Sequence, residues 1–333
     1  MVEALFSVSF AGPLVTVQDA GRPGNMRYGV PASGPMDRLA FDAAHAALGN
    51  AQGLPAIEIS LGGLMLHCKE GSVTLAITGG NFVVEHNGQK TSSWIILTIN
   101  KGERLAIRAG TEGSWAYLAF AGRLLSEDWL GSQATHATSG FGGGAVQTGQ
   151  NLVVADAAIR NDRLGQIPEA GFVASDAIRA VIGPQDQHFD ENAVACFLSE
   201  TFTVTDAYDR MGMRLKGPLL GLDGALSIPS EPIVRGSVQV SGDGVATVLL
   251  ADHQTTGGYP KIATVISCDT DRLAQWRAGQ PVRFTSVSSQ QAINDVRRFM
   301  AQKTQYLAQI SVARGSLEQR LASENLIHGC VFD

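Results

Sequence analysis

The chain has 333 residues, enough for about two domains that each bury a core of their own. With 44% hydrophobic and 17% charged residues it has the profile of a water-soluble globular protein. A net charge of −6, without a long basic run, argues against nucleic acid or an anionic membrane as its main partner. The N-terminal stretch carries Glu3 and lacks the basic cluster and apolar run of a signal peptide, and no segment reaches transmembrane length. Cys68, Cys196, Cys268 and Cys330 lie far apart without a C-x-x-C pair, as expected of reduced thiols in a cytoplasmic protein with no structural metal.

Taken in chain order, Leu5–Phe10 is a predicted strand, and Met36–Leu48 is a predicted helix with Leu39, Ala43, Ala44 and Ala47 on one side and Gly49-Asn50 as its stop. Short β-branched runs predict strands at Val73–Thr78, Ile95–Ile99, Leu105–Ala109 and Trp115–Ala121, with a hairpin turn at Asn87-Gly88. Asn161 to Phe172, with Gly165, Pro168 and Gly171, reads as a connection. Beyond it, strands are expected at Arg179–Ile182, Thr201–Val204, Ser237–Val240, Thr247–Leu250, Ala263–Ile266 and Val282–Phe284, with short helices at Asp190–Leu198 and Thr270–Trp276. Ser289–Val312 carries a helical stripe of Ile293, Val296, Met300, Leu307 and Ile310, and a second helical piece follows Gly315. The expected division is residues 1–165, 175–288 and a helical tail, 289–326. Short strands with many turns close most economically into barrels.

One pattern occurs twice. Gly12-Pro13, Arg27-Tyr28-Gly29, Gly34-Pro35, Glu58 and Thr78-Gly79-Gly80 are followed in the same order by Gly183-Pro184, Arg210-Met211-Gly212, Gly217-Pro218, Gln239 and Thr256-Gly257-Gly258. Two related lobes, with a site where they meet, are the expectation.

The most polar segment between two apolar strands is Ala251 to Pro260. It offers Asp252, Gln254, Thr255, Thr256 and Tyr259, with Gly257 and Gly258 letting backbone approach a ligand. A ligand-contacting turn and a polar hairpin in solvent both fit. At the end of an early strand, Asp19 and Arg22 can pair; the pair would hold a turn or present a two-pronged donor to an anion. Arg214 joins the second repeat copy. Glu58, between Ile57 and Ile59, is a candidate base through burial. Ser139 to Ala145 nearly fits a dinucleotide fingerprint but lacks the preceding strand and following helix, and there is no P-loop.

Gly12 to Arg22 resembles the opening signature of the biotin-dependent carboxyltransferase family, which includes the C-type component of 5-oxoprolinase, the allophanate hydrolase subunit 2 type and the antagonist of a histidine-kinase inhibitor. Ser33 to Asp37, Ala56-Ile57-Glu58, Asp209 to Leu215 and Gln254 to Pro260 resemble further blocks of that family, in order. The resemblance implies a mainly β architecture of two cyclophilin-like barrels. With no biotinylation site and no ATP-grasp portion, the chain looks most like the C-type component of an ATP-dependent 5-oxoprolinase, acting with A-like and B-like subunits on a cyclic amide. In that setting Asp19, Arg22, Glu58 and Arg214 would serve catalysis, and Gln239, Asp252 and Gln254 to Tyr259 would hold substrate. The alternatives are transfer of a carboxyl group from carboxybiotin to a urea-like amide, and a non-catalytic antagonist of a kinase inhibitor.

Overall fold

The computed structural model describes residues 3–172, 177–223 and 227–315. The protein is mainly β, and its first lobe is two packed antiparallel sheets. One sheet runs, edge to edge, Arg123–Leu124, Asn151–Ala155, Ala4–Ala11, Leu64–Glu70, Arg104–Glu112, Asn81–His86, Gln89–Ser92. The other runs Gly165–Gln166, Ile95–Asn100, Ser72–Thr78, Ala116–Phe120, Ala56–Ile59, Thr16–Gln18. Ala4–Ala11 alternates buried and half-exposed residues, the signature of one face on a core and one toward water. Ala56–Ile59 and Ala116–Phe120 are buried throughout, because the second sheet is covered on its other side as well. Helix α1 (Arg38–Leu48) packs against Ser72–Thr78 and Ala116–Phe120; the Phe41 ring meets Tyr117 edge-on, 5.9 Å between centroids.

The second lobe is one sheet of eight strands: Pro281–Val282, Phe202–Tyr208, Gly212–Lys216, Ala246–Leu249, Ser237–Val240, Lys261–Val265, Ile178–Ile182, Phe284–Ser286. Its two outermost strands are one stretch of chain, interrupted only at Arg283. Val282 pairs with Phe202 on one side, and Phe284 pairs with Ile178 on the other. The sheet therefore curls almost into a closed barrel, which removes its edges. Helix α2 (Glu191–Ser199) packs on the closing strand Phe284–Ser286, where Phe197 stacks on Phe284 at 4.4 Å beside Phe202.

Three expectations change in detail. Asn87 and Gly88 adopt φ of 51° and 78°, as a two-residue hairpin turn requires, but the returning strand is Gln89–Ser92. Trp94, with φ of 66°, redirects the chain so that Ile95–Asn100 enters the other sheet. The twin R-x-G-x-x-x-x-G-P segments occupy unlike structures: Met26–Tyr28 is a single exposed 3₁₀ turn, whereas Arg210 sits in the bend that leads from Phe202–Tyr208 into the strand Gly212–Lys216. Equal spacing is met by two different backbones. The Asn161–Phe172 connection is also part of the first lobe, because Gly165–Gln166 pairs with Ile95–Ile96.

Helix α3 (Ser267–Leu273) begins three residues earlier than its sequence reading, and α4 (Ser289–Ser311) matches its own closely. The predicted stripe of α4 is only partly covered: Ile310 is buried, whereas Ile293 and Met300 stay exposed. Polar pairs complete its docking on both lobes: Lys303 to Asp42 at 2.6 Å, Asp295 to Arg179 at 2.9 Å, and the Tyr306 hydroxyl to the Pro168 carbonyl at 2.8 Å. The helical piece expected after Gly315, and Cys330, lie outside the described residues. No helix among the described residues is long and apolar enough to cross a membrane.

The N-terminus of α4 is closed by a capping box between Ser288 and Gln291. Ser288→Ala is expected to cost about 1 kcal/mol. In urea titrations the midpoint should fall with an unchanged slope; an unchanged midpoint would show that α4 is held by its lobe contacts alone.

Candidate functional site

The segment Gly34 to Arg38 and the strand Ala56–Ile59 bring the first lobe to the second. Glu58, fully buried, accepts bonds at Oε2 from the Tyr117 hydroxyl and the Met36 N–H, both at 2.8 Å. Its Oε1 accepts from Nη1 of Arg210, which projects from the second lobe and is itself 1% exposed. The same guanidinium forks onto Asp252, with Nε to Oδ2 at 2.9 Å and Nη2 to Oδ1 at 3.0 Å, and Nη2 also donates to the Gly34 carbonyl at 2.7 Å. Asp252 turns back to the first lobe by accepting the Ala137 N–H at 2.9 Å. One cation thus joins two carboxylates across the lobe boundary.

Burial alone would raise the Asp252 carboxyl, but the charge and hydrogen bonds of Arg210 outweigh it and hold the group below its ordinary value. Burial opposes the charge on Arg210 too, yet Asp252 and Glu58 together keep its pKa above the usual arginine range. The Tyr117 phenol is pushed well up by burial and by the neighbouring Glu58 charge, so it stays a donor. Glu58, expected to move a proton, has both oxygens engaged and no exposure; its geometry is that of an anchor.

Asp19 and Arg22 do not pair. Asp19 accepts from the Gly21 N–H at 2.8 Å, the Ser132 hydroxyl at 2.6 Å and the Gln133 N–H at 2.6 Å. Arg22 donates from Nε to the Trp129 carbonyl at 3.3 Å and from Nη2 to the Ala134 carbonyl, and lies over the Trp129 ring at 4.9 Å. Both residues grip the same loop from different sides. Arg22 is 3% exposed, and its Nη1 has no hydrogen-bond partner. Burial lowers its pKa, with the charges of Asp19, Asp252 and Asp128 acting in the opposite direction.

The polar turn after Ala246–Leu249 forms a cavity of about 380 Å³ with the outside of the second barrel. Gln239, Gln254, Tyr259 and Arg214 line it, with Met211 and Thr247 among the others. The Gln254 amide donates to Gln239 Oε1 at 3.3 Å, and Gln239 Nε2 reaches toward the Tyr259 carbonyl at 3.5 Å. Thr256–Gly257 is a two-residue strand against Glu231–Pro232, and the Thr255 carbonyl accepts the Ile233 N–H. The Gly258 carbonyl accepts the Ile228 N–H at 2.8 Å. Arg214 is tied at the rim to Asp243 at 2.9 Å. Asp252, grouped with these residues on sequence, lies instead in the buried cluster.

The two predicted halves are linked by one first-lobe segment rather than by a shared wall. Ala134 takes the Arg22 bond, Ala137 donates to Asp252, and the Thr138 hydroxyl contacts Sδ of Met211 at the cavity, 3.5 Å away. Sequence reasoning placed Arg210 among turn residues and Asp37 in the first turn of a helix, and passed over Lys261 and Tyr117. The signal for Arg210 was its matching partner: a lone strand carboxylate in the other lobe.

The carboxyltransferase domain, subdomain A and B, matches residues 28–286, a span that takes in Glu58, Arg210, Asp252 and the whole cavity. The chain belongs to the carboxyltransferase family. Asp19 and Arg22 precede the matched span, and α4 follows it. The C-type component of the Haemophilus influenzae 5-oxoprolinase is 34% identical over 280 residues, 83% of this chain and 89% of that protein. Among solved structures, TTHA0988 is 31% identical with a TM-score of 0.75, over 86% of this chain and 56% of its own. The K. lactis urea amidolyase shares the fold, with a TM-score of 0.81 at 24% identity over 93% of this chain and 20% of its own. The chain thus spans just over half of the first solved protein and a fifth of the second.

Proposed function

We propose that this chain is the C-type component of an ATP-dependent 5-oxoprolinase, which with A-like and B-like subunits opens a cyclic amide to glutamate. The likeness to the Haemophilus influenzae 5-oxoprolinase component over nearly the full length of both chains carries the reading. The cavity supports it. A small lactam has one N–H donor and one carbonyl acceptor, and the side chains of Gln239, on a strand, and of Gln254 and Tyr259, on the polar turn, offer complementary groups.

A lactam carbonyl is a poor electrophile, and phosphorylating its oxygen supplies a leaving group. The ATP belongs to the assembled complex, and no residue of this chain is assigned to it. Within the chain, Gln254 and Gln239 would orient the amide. Co-expression with A-like and B-like subunits should give ATP-dependent hydrolysis of 5-oxoproline. Gln254→Ala should raise KM about tenfold with kcat held, as loss of one or two neutral hydrogen bonds implies. Hydrolysis with unaltered kinetics in that variant would move the substrate out of this cavity.

A second reading follows from the fold shared with urea amidolyase: carboxyl transfer from carboxybiotin to a urea-like amide bound in the same cavity. Co-purification with a biotin carboxylase, and carboxylation without lactam hydrolysis, would select it.

A further inference from the structure

Lys261 opens the strand Lys261–Val265 and is 3% exposed, yet its Nζ has no hydrogen-bond partner. The nearest carboxylate, Oε2 of Glu231, lies 3.9 Å away, beyond hydrogen-bond length. Glu231 is itself held by Gln185 Nε2, and the other end of that amide accepts the Lys261 N–H at 3.0 Å. Gln185 therefore spaces the two charges apart. An ammonium carries three donors, and leaving them unmet in a buried place is costly. Burial lowers the Lys261 pKa, and the Glu231 charge only partly restores it.

Of the residues around it, Gln239 lines the cavity, and Lys261 stands next to that side chain on the neighbouring strand. Glu231 is the cross-strand neighbour of Gly257. Gln239 Nε2 lies 2.6 Å from where a Cβ on Gly257 would stand, so the amide and the glycine backbone are in direct contact. Lys261, Gln239, Gly257 and Glu231 thus form one ring of neighbours behind the polar turn.

We infer that Lys261 is the seat for the carboxylate of the lactam substrate, with Glu231 as a half-exposed rival that the substrate displaces. The assignment rests on the lactam reading above and deepens it, because it explains how a carboxylated ring would be chosen over a bare one. A purely structural lysine would behave differently. Removing a buried charge that makes no hydrogen bond and only a long ion pair should leave stability nearly unchanged or raised, while substrate binding collapses.

In the complex purified with its A-like and B-like subunits, Lys261→Met should raise KM for 5-oxoproline tenfold or more with kcat within about threefold, as loss of a charge-assisted contact implies. Glu231→Gln should lower KM. The carboxylate-free lactam 2-pyrrolidinone, used as an inhibitor, should bind wild type and Lys261→Met alike. An unchanged KM in Lys261→Met, or a parallel loss of 2-pyrrolidinone binding, overturns the seat. If the complex does not hydrolyse 5-oxoproline, the lactam reading falls by itself. The seat is then decided by calorimetry on the full-length chain with 5-oxoproline and bicarbonate as probes. Binding of 5-oxoproline that Lys261→Met abolishes sustains it; binding of bicarbonate alone, or of neither, ends it.

Discussion

Arg210→Met should be the most damaging single change in the protein. Its guanidinium is enclosed between Glu58 and Asp252, which are both fully buried. Removing it strands two carboxylates without a counter-ion, and breaking a buried pair from one side costs roughly 3–5 kcal/mol. Here two partners are abandoned, so the upper end of that range is expected, a large share of the stability of a typical domain. Adding Glu58→Gln and Asp252→Asn to Arg210→Met should recover part of the loss, because the uncompensated charges go with their partner. Lowering the pH should help the single variant more than wild type, since the orphaned carboxylates can then take up protons. Urea unfolding of the single and triple variants at two pH values reads all three effects. A single variant costing less than about 1 kcal/mol, or a triple variant no better than the single, would show that the lobes do not depend on this cluster.

The same cluster explains why the lobes act as one unit. Around it, Arg38 meets Asp271 at 2.8 Å, Arg235 donates to the Pro35 carbonyl at 2.9 Å, and Gln275 takes the Ser114 and Trp115 N–H groups at 2.9 and 3.0 Å. The Trp115 indole donates to the Tyr208 hydroxyl at 2.6 Å. This junction is polar and directional, and it sits where α1 begins, so it fixes the segment 134–138 that connects Arg22 to the cavity.

Much of the fold was legible because its signals are local. Strands such as Val73–Thr78 and Ser237–Val240, and the capped helices α1 and α4, are written in short-range pattern and turn chemistry. The resemblance carried by Gly12 to Arg22 and Gln254 to Pro260 supplied the family. What could not be read was which charges meet. Glu58 and Arg210 are 152 residues apart, and only the docking of the lobes turns a candidate base into an anchor. Asp19 and Arg22 are close in sequence yet do not pair, because each bonds other groups of the 129–134 loop. Lys261 gave no signal beyond being a charged residue at the head of an apolar strand. Its interest lies in a missing partner, which a sequence cannot display.

Asp37 should make stability depend on pH in the direction opposite to ordinary acid denaturation. It caps α1, accepting from the Leu39 and Ala40 N–H groups at 3.1 and 3.0 Å, and accepts from Gln275 Nε2 at 2.9 Å. Burial first, then the charge of Asp271, raises its pKa to about 6; the bonds from Ala40 and Gln275 and the charge of Lys303 offset this only in part. Between about pH 4 and 6 the folded chain therefore keeps a proton that the unfolded chain has released. Stability from this group falls as pH rises through that window and stays reduced above it, by about 3 kcal/mol for a shift of this size. Asn at this position still caps the helix but cannot ionise. Its amide N–H group would face Gln275 Nε2, a penalty that does not vary with pH. The stability difference between Asp37→Asn and wild type should thus move by about 2.4 kcal/mol in favour of the variant from pH 4 to pH 7, whatever its starting value. Urea titrations of both proteins across that range measure it, and parallel curves would mean that Asp37 is already ionised at pH 4.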